Sequence, residues 1–137
     1  KNSYEEIKKI KFSSNVKVVP YIENMTRIMK NTDIIISRAG ASTLSEIIAL
    51  KIPSILIPSP YVPDNHQYKN ALDLSSNNAA ILIEEKDLNG NILVKTIDEI
   101  LNDEEKIKDM KKNLAKLYVP KSATKIYETI RNIIDGK

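Results

Sequence analysis

The sequence predicts an α/β fold, in which a parallel sheet is flanked by helices and further amphipathic helices follow at the C-terminal end. Two observations lead to this prediction. Short apolar runs rich in Val and Ile lack polar alternation, which is typical of strands buried on both faces. Helical segments separate these runs, and such alternation predicts βαβ units. No internal repeat or linker divides the 137 residues, so we expect a single domain over 1–137.

The predicted strands and the helices between them alternate along the first two thirds of the chain. Each strand candidate has four or five residues, a length that suits a short buried strand. The strands are predicted over 16–19, 33–36, 54–57 and 79–83, and the helices over 25–31, 43–50 and 66–76. Together these elements predict successive βαβ units in one sheet.

The last third of the chain is predicted to be helical. Apolar residues recur at helical spacing over 92–101, 107–117 and 126–133, with breaks near Asp103 and at Pro120. These segments predict two or three amphipathic helices that pack against the edge of the sheet.

The start of the chain is unusual for a doubly wound fold. A helix is predicted over 3–11, but no strand precedes it, and the first residue is Lys1 rather than Met. We therefore expect the chain to be an N-terminally truncated part of a longer domain.

The composition excludes several classes of protein. The chain has no Cys, which excludes a disulfide scaffold, a thiolate zinc site and a cysteine nucleophile, and which fits a reducing cytosol. No apolar run approaches the roughly 20 residues that a membrane-spanning helix needs. The net charge is +3, but basic residues alternate with acidic ones, which is typical of solvated helix faces. We therefore expect no nucleic-acid partner.

The segment after the second predicted strand carries the strongest candidate site. Ligands bind beyond the carboxyl ends of parallel strands, and the small residues of 37–46 let a ligand approach the backbone. A helix that begins near Thr43 would present free N–H groups and a positive dipole end to a phosphate. Two interpretations without a ligand remain open, because Thr43 and Glu46 fit a capping box and Gly40 suits a tight turn.

A proline-rich segment follows the third predicted strand. Three prolines predict a stiff loop over 58–67, which contains the single histidine of the chain, His66. Because the sequence shows no partner to orient it, His66 taken alone fits a first helical turn, with Asp64 or Asn65 as the N-cap. The acidic residues of 84–87 predict a solvated turn after the last strand. Neither a P-loop nor a standard dinucleotide-binding glycine motif occurs.

Three segments, 34–46, 52–61 and 65–71, match the motifs of one family at the same spacing. Together they resemble the MurG family of bacterial glycosyltransferases, and the resemblance extends from about Val16 to the C-terminal helices. It implies the C-terminal, donor-binding half of a GT-B enzyme, which has two Rossmann-like domains with a cleft between them. It also implies transfer of N-acetylglucosamine (GlcNAc) from UDP-GlcNAc to lipid I, an undecaprenyl-linked acceptor, to form lipid II in peptidoglycan synthesis.

The resemblance implies a role for each matching residue. The main chain of Ile22 matches a contact with uracil, and Glu46 matches the carboxylate that binds the ribose hydroxyls. Gln67 matches an amide that contacts the sugar, and Arg38 matches an arginine with either a phosphate contact or a structural role. The residues near the diphosphate would be Ala41, Ser42 and Thr43. The complete set of implied donor-binding residues is Ile22, Arg38, Gly40, Ala41, Ser42, Thr43, Glu46, His66, Gln67 and Asn70.

The resemblance also implies what the rest of the enzyme supplies. The general base and the acceptor-binding site belong to an N-terminal half that nothing in this sequence matches. The family transfers the sugar with inversion, and a helix N-terminus stabilises the leaving diphosphate without a bound metal. We therefore expect no catalytic residue, metal site or cofactor in this chain, and no activity from the chain alone. The expected partners are UDP-GlcNAc and, through the N-terminal half, the lipid acceptor at the cytoplasmic face of the membrane, which the whole enzyme contacts peripherally.

Two other functions remain open. A non-catalytic α/β module that binds a nucleotide or a protein would share the same alternation of strands and helices. A receiver-like domain, however, needs an acidic cluster after its first strand, where only Glu23 occurs. Another UDP-sugar transferase, or an epimerase, of the GT-B type would share the phosphate-binding helix and differ in its acceptor.

Overall fold

The computed structural model describes residues 5, 6 and 13–118, and its elements follow the predicted alternation. In this part of the chain they are, in order, α1 (Met25–Lys30), β1 (Ile35–Ser37), α2 (Ala41–Leu50), β2 (Ser54–Leu56), α3 (His66–Ser76), β3 (Ile81–Leu82), α4 (Gly90–Leu101) and α5 (Glu104–Leu117). Short 3₁₀ turns, Pro63–Asn65 and Glu85–Asp87, follow β2 and β3.

The strands form a parallel sheet in the order β1-β2-β3. Ile35 pairs with Ser54 and Ile55 pairs with Ile81, so β2 lies between the other two strands. All the residues of β2 are buried, as expected for a central parallel strand. Because the strands are parallel, their carboxyl ends meet at one edge of the sheet, and the loops that follow them lie side by side there.

Helices pack on both faces of the sheet. Neighbouring residues of β2 point to opposite faces, since Leu56 belongs to one buried cluster and Ile55 to the other. The cluster around Leu56 includes Ile47 of α2 and Leu114 of α5, and neither side chain has exposed surface. The cluster around Ile55 includes Ile100 of α4. Helices α2 and α5 therefore cover one face and α4 covers the other, which removes the apolar run of β2 from water.

The prediction of a strand over 16–19 is wrong. This segment forms no strand, and its two outer valines remain exposed. A strand must pair its backbone groups with a neighbour, and this segment is not hydrogen-bonded to the described sheet. The strand predicted over 33–36 begins two residues later, as β1, and those over 54–57 and 79–83 are confirmed as the shorter β2 and β3.

The predicted helices are confirmed with small changes of their ends. Those over 25–31, 66–76, 92–101 and 107–117 correspond to α1, α3, α4 and α5. The helix predicted over 43–50 begins two residues earlier, as α2. The helix over 126–133 lies outside the described residues, and of the helix over 3–11 only Glu5 and Glu6 are described, both helical. No helix within the described ranges is long and apolar enough to cross a membrane.

Candidate functional site

Helix α2 begins at Ala41, shortly after the end of β1. Gly40 is its N-cap, with φ −68° and ψ 146°, and no side chain caps the helix. The N–H groups of the first turn, those of Ala41, Ser42 and Thr43, have no hydrogen-bond partner among the described residues. These groups and the positive end of the helix dipole are the elements of an anion-binding site.

Both interpretations of this loop that need no ligand are wrong. Thr43 lies inside the first turn rather than at the N-cap, so it does not form the capping box with Glu46. The small residues Gly40 and Ala41 allow the helix to begin earlier than the polar pattern predicts. Gly40 has an ordinary negative φ, so no tight turn requires a glycine. A Cβ atom added to Gly40 would lie 4.0 Å from Nε2 of Gln67 and would strain nothing.

Two amide side chains of α3 hold the loop between β1 and α2. The Oε1 atom of Gln67 accepts hydrogen bonds from the N–H groups of Ala39, at 3.2 Å, and Ser59, at 2.9 Å. The Nδ2 atom of Asn70 donates to the carbonyl oxygen of Ala39 at 3.2 Å. The structure thus brings Gln67 and Asn70 to Ala39, directly before the N-cap of α2, and their roles in donor binding stay predictions. Because Oε1 is engaged, Nε2 of Gln67 is left as a donor with no partner in the described part of the chain.

The side chain of Arg38 joins the loops that follow all three strands. Its Nη1 atom donates to the carbonyl oxygens of Ile57, at 3.2 Å, and Pro58, at 3.4 Å. Its Nη2 atom donates to Oε1 of Glu85 at 2.5 Å. Of the two roles that the sequence leaves open for Arg38, these contacts support the structural one, because both terminal nitrogens are engaged within the protein.

Glu85 is a residue of this edge that sequence reasoning missed. The prediction of a solvated turn over 84–87 is wrong for Glu85, whose carboxylate forms an ion pair with Arg38. The hydrogen bonds from Arg38 and then from Tyr61 lower the pKa of Glu85, while the bond to Glu85 raises the pKa of Tyr61. The one signal in the sequence that could have revealed this pair is position. Glu85 follows β3 and Arg38 follows β1, so both lie at the same edge of the parallel sheet.

The Glu85 ion pair predicts a loss of stability in acid. The pKa of Glu85 in the folded chain lies below its usual 4.5, so the ionised group stabilises the fold fully above that pH and loses this effect as the pH falls through the lowered value. We expect the wild type to be more stable than Glu85→Gln near neutral pH, and the difference to close in acid. Urea unfolding of both proteins between about pH 7 and pH 3 measures this difference. A difference that stays constant with pH would contradict the ion pair.

His66 lies exposed at the start of α3. Its Nδ1 atom is 2.7 Å from the carbonyl oxygen of Pro63, so in the neutral ring Nδ1 carries the proton and Nε2 carries the lone pair. Asn65 is the N-cap, one of the two predicted alternatives, but its side chain makes no capping bond. Asp64 and Asn65 have φ values of 56° and 54°, a left-handed turn that leads the chain into α3.

Ile22 and Glu46 take no part in the hydrogen bonds of Arg38, Gln67 and Asn70. Neither the backbone groups of Ile22 nor the carboxylate of Glu46 makes a hydrogen bond within the residues that the structure describes. Glu46 is half-buried on α2, and α1, which follows Ile22, packs against α2. Within the described residues both therefore keep polar groups without a hydrogen-bond partner, and their roles stay predictions.

A cleft of about 350 Å³ opens between the loops that follow β2 and β3. Proline and tyrosine side chains line it together with Glu85 and its neighbours. Its size falls in the range of small-molecule sites. No group of His, Asp and Glu side chains that could hold a metal ion occurs in the described ranges.

Comparison with known proteins assigns the family. The family model described as the glycosyltransferase family 28 C-terminal domain matches residues 1–126. The chain belongs to this family. The assignment confirms the resemblance found in the loop motifs, because the match over residues 1–126 includes all three of them.

Curated relatives of this family 28 domain share one name. A protein of Listeria welshimeri is 44% identical over 135 residues, and one of Bacillus cereus is 43% identical over 130 residues. Both are named UDP-N-acetylglucosamine--N-acetylmuramyl-(pentapeptide) pyrophosphoryl-undecaprenol N-acetylglucosamine transferase, numbered 1 in Bacillus cereus. The matches cover 96% and 95% of this chain but 37% and 36% of the relatives. The chain therefore spans about a third of the length of these proteins.

Two solved structures share the fold of the family 28 domain. The crystal structure of Acinetobacter baumannii MurG matches with a TM-score of 0.72 and 25% identity, over 85% of this chain and 33% of that one. The glycosyltransferase VinC, solved in complex with dTDP, matches with a TM-score of 0.73 and 21% identity, over 93% of this chain and 31% of that one, and this likeness concerns the fold alone. The predicted fold class, a Rossmann-like domain of a GT-B glycosyltransferase, is confirmed.

Proposed function

We propose that this chain is the donor-binding part of an enzyme that transfers GlcNAc from UDP-GlcNAc to N-acetylmuramyl-(pentapeptide) pyrophosphoryl-undecaprenol, a step of peptidoglycan synthesis. The observation that carries the proposal is the start of α2, where unpaired N–H groups lie beside a loop that Gln67 and Asn70 hold in place. The family supports the reaction class, and the names of the relatives support the two substrates.

The start of α2 binds the diphosphate of the donor in this proposal. The N–H groups of Ala41, Ser42 and Thr43 donate to phosphate oxygens, and the helix dipole adds to the attraction. When the bond between the sugar and the phosphate breaks, negative charge grows on the departing UDP. The fixed dipoles then stabilise the transition state more than the bound donor, which accelerates the reaction. We assign no metal ion or cofactor to this step, because the helix itself supplies the stabilisation.

The nucleoside and the sugar are bound by polar groups that the fold leaves free. The carboxylate of Glu46 accepts hydrogen bonds from the ribose hydroxyls, and the backbone of Ile22 contacts the uracil edge. The Nε2 atom of Gln67 donates to a hydroxyl of GlcNAc, and its orientation is fixed because Oε1 already binds two N–H groups. Nε2 of His66 and Oδ1 of Asn70 are acceptors available beside it.

The remaining steps fall to the rest of the longer enzyme. Since this chain spans 37% of its Listeria welshimeri relative, we assign the general base and the binding of the undecaprenyl-linked acceptor to the other part. The acceptor is anchored in the membrane by its lipid, so the whole enzyme would act as a peripheral protein at the cytoplasmic face. The chain alone is expected to transfer no sugar.

Substitution of Glu46 tests the proposal. Glu46→Ala is expected to weaken the binding of UDP and UDP-GlcNAc about tenfold, because hydrogen bonds to a charged group contribute roughly 1.5 kcal/mol at the lower end of their range. Isothermal titration calorimetry on the enzyme that contains this chain measures both affinities. Glu99→Ala, which removes an exposed carboxylate from α4, is the matched control and is expected to bind as the wild type does.

The same experiment separates the alternatives. If the wild type binds neither nucleotide, the proposal is wrong. Binding without transfer of GlcNAc to the undecaprenyl-linked acceptor would favour the non-catalytic nucleotide-binding module. Transfer to another acceptor would favour a different UDP-sugar transferase of this fold, and conversion of the sugar itself would favour an epimerase.

A further inference from the structure

The cleft between the loops after β2 and β3 has walls that suit a sugar ring. Its volume of about 350 Å³ is near the lower end for small-molecule sites. Pro58, Pro60, Tyr61 and Tyr68 present rings to the cleft, and Asn65 adds an amide. A sugar has C–H faces that pack on such rings and hydroxyls that bind amides and carboxylates, so this combination of side chains matches its chemistry.

The charged groups of the cleft are already paired. Glu85 forms an ion pair with Arg38, and the carboxylate of Glu84 lies 3.7 Å from Nζ of Lys86. Glu84, Glu85 and Lys86 line the cleft, and Arg38, which lies outside its lining, balances the charge of Glu85. A phosphate or an ammonium group would therefore find no unpaired opposite charge among its described lining residues. Neutral hydroxyls, in contrast, can share the oxygens of the paired carboxylates.

The cleft lies beyond the position that the proposed function gives to the donor sugar. The start of α2 follows β1, and Gln67 binds the loops after β1 and β2. The cleft opens between the loops after β2 and β3. Along the sheet edge the order is therefore the diphosphate site, Gln67 and the cleft. A hydroxyl that displaces UDP with inversion must approach the anomeric carbon opposite the diphosphate, which is the side on which the cleft lies.

We propose that this cleft is a subsite for the sugar ring of the acceptor and that the ring of Tyr61 is the surface on which it packs. The inference rests on the proposed function and gives the donor-binding part a share in acceptor recognition. In the transfer, the acceptor hydroxyl forms the new bond to the anomeric carbon and the bond to UDP breaks. The hydroxyl proton passes to the general base in the rest of the enzyme, and the cleft itself only positions the acceptor.

Substitution of Tyr61 tests the subsite in the enzyme that contains this chain. Tyr61 is 82% exposed, so its ring contributes little to the core. In Tyr61→Ala we expect the KM for the undecaprenyl-linked acceptor to rise about tenfold, while the Kd for UDP-GlcNAc stays within about twofold of the wild type. Tyr61→Phe keeps the ring but removes the hydroxyl beside Glu85, and it is expected to retain the acceptor KM of the wild type. Tyr118→Ala, which removes an exposed tyrosine beyond α5, is the matched control.

The outcomes separate this inference from the proposed function. An unchanged acceptor KM in Tyr61→Ala overturns the subsite. A weaker Kd for UDP-GlcNAc with an unchanged acceptor KM also overturns it, because the cleft would then belong to the donor. A rise in the acceptor KM that occurs equally in Tyr61→Phe overturns the packing role of the ring. If the wild type binds no UDP-GlcNAc, the proposed function fails first, before any variant is compared.

Discussion

Gly40→Asp is expected to stabilise the fold and at the same time to weaken the binding of UDP by at least about 100-fold. An aspartate at the N-cap of α2 accepts a hydrogen bond from the N–H group of Ser42 or Thr43, which adds a few tenths of a kcal/mol relative to glycine. The same carboxylate occupies the N–H groups that would bind the diphosphate. It also places a negative charge near the phosphates, and two like charges about 4 Å apart repel by roughly 4 kcal/mol near a protein surface.

Gly40→Asn separates the effect of the charge from the effect of the cap. Asparagine caps a helix as well as aspartate does but adds no charge, so we expect a similar gain in stability and a loss of UDP affinity of only about tenfold. Neither substitution strains the backbone, because Gly40 has φ −68° and an added Cβ lies 4.0 Å from its nearest neighbour, on Gln67. Urea unfolding and titration calorimetry measure the two effects. If Gly40→Asp gains stability and binds UDP as the wild type does, the start of α2 is not the phosphate site.

The parts of this site that depend on local pattern could be predicted from the sequence. The apolar run of β2 indicates a strand buried on both faces, and the prolines and Asn65 mark the loop before α3. The start of α2 was predicted two residues late. The capping-box pattern of Thr43 and Glu46 is compatible with a helix that begins at Thr43, but it does not require the helix to begin there. A helix that begins after a glycine N-cap leaves no polar signature in the sequence.

The parts that depend on tertiary arrangement could not be predicted. Arg38 and Glu85 are 47 positions apart and meet because β2 lies between two parallel neighbours, an order that the lengths and patterns of the strands do not specify. The segment over 16–19 has the apolar pattern of a strand, but it makes no backbone hydrogen bonds to the described sheet. An apolar pattern does not form a strand unless the backbone groups pair with a neighbouring strand. Strand order therefore brings Glu85 to Arg38, a pairing that no local pattern in the sequence reveals.

Gln67→Leu is expected to lower the free energy of unfolding by about 2–4 kcal/mol and to abolish measurable binding of UDP-GlcNAc. Leucine has a similar length but accepts no hydrogen bond, so the N–H groups of Ala39 and Ser59 lose their shared acceptor in a part-buried place. Each unpaired donor of this kind costs roughly 1–3 kcal/mol when water cannot reach it, so two such donors cost roughly 2–6 kcal/mol, and partial access of water favours the lower half, about 2–4 kcal/mol. The loop that leads into α2 would lose its anchor, and with it the fixed direction of the first-turn N–H groups.

Gln67→Glu separates the two functions of the Gln67 amide, the anchoring of the loop by Oε1 and the proposed contact of Nε2 with the sugar. A carboxylate oxygen can accept the same two N–H groups, so we expect the unfolding midpoint in urea to stay close to that of the wild type. The substitution removes the Nε2 donor and adds a negative charge near the start of α2, so the affinity for UDP-GlcNAc is expected to fall at least about tenfold although the fold is intact. Wild-type stability in Gln67→Leu would show that the oxygen does not anchor the loop. Wild-type affinity in Gln67→Glu would show that the nitrogen does not contact the donor. The two variants thus test independently whether one side chain both builds the phosphate-binding loop, through Oε1, and binds the sugar, through Nε2.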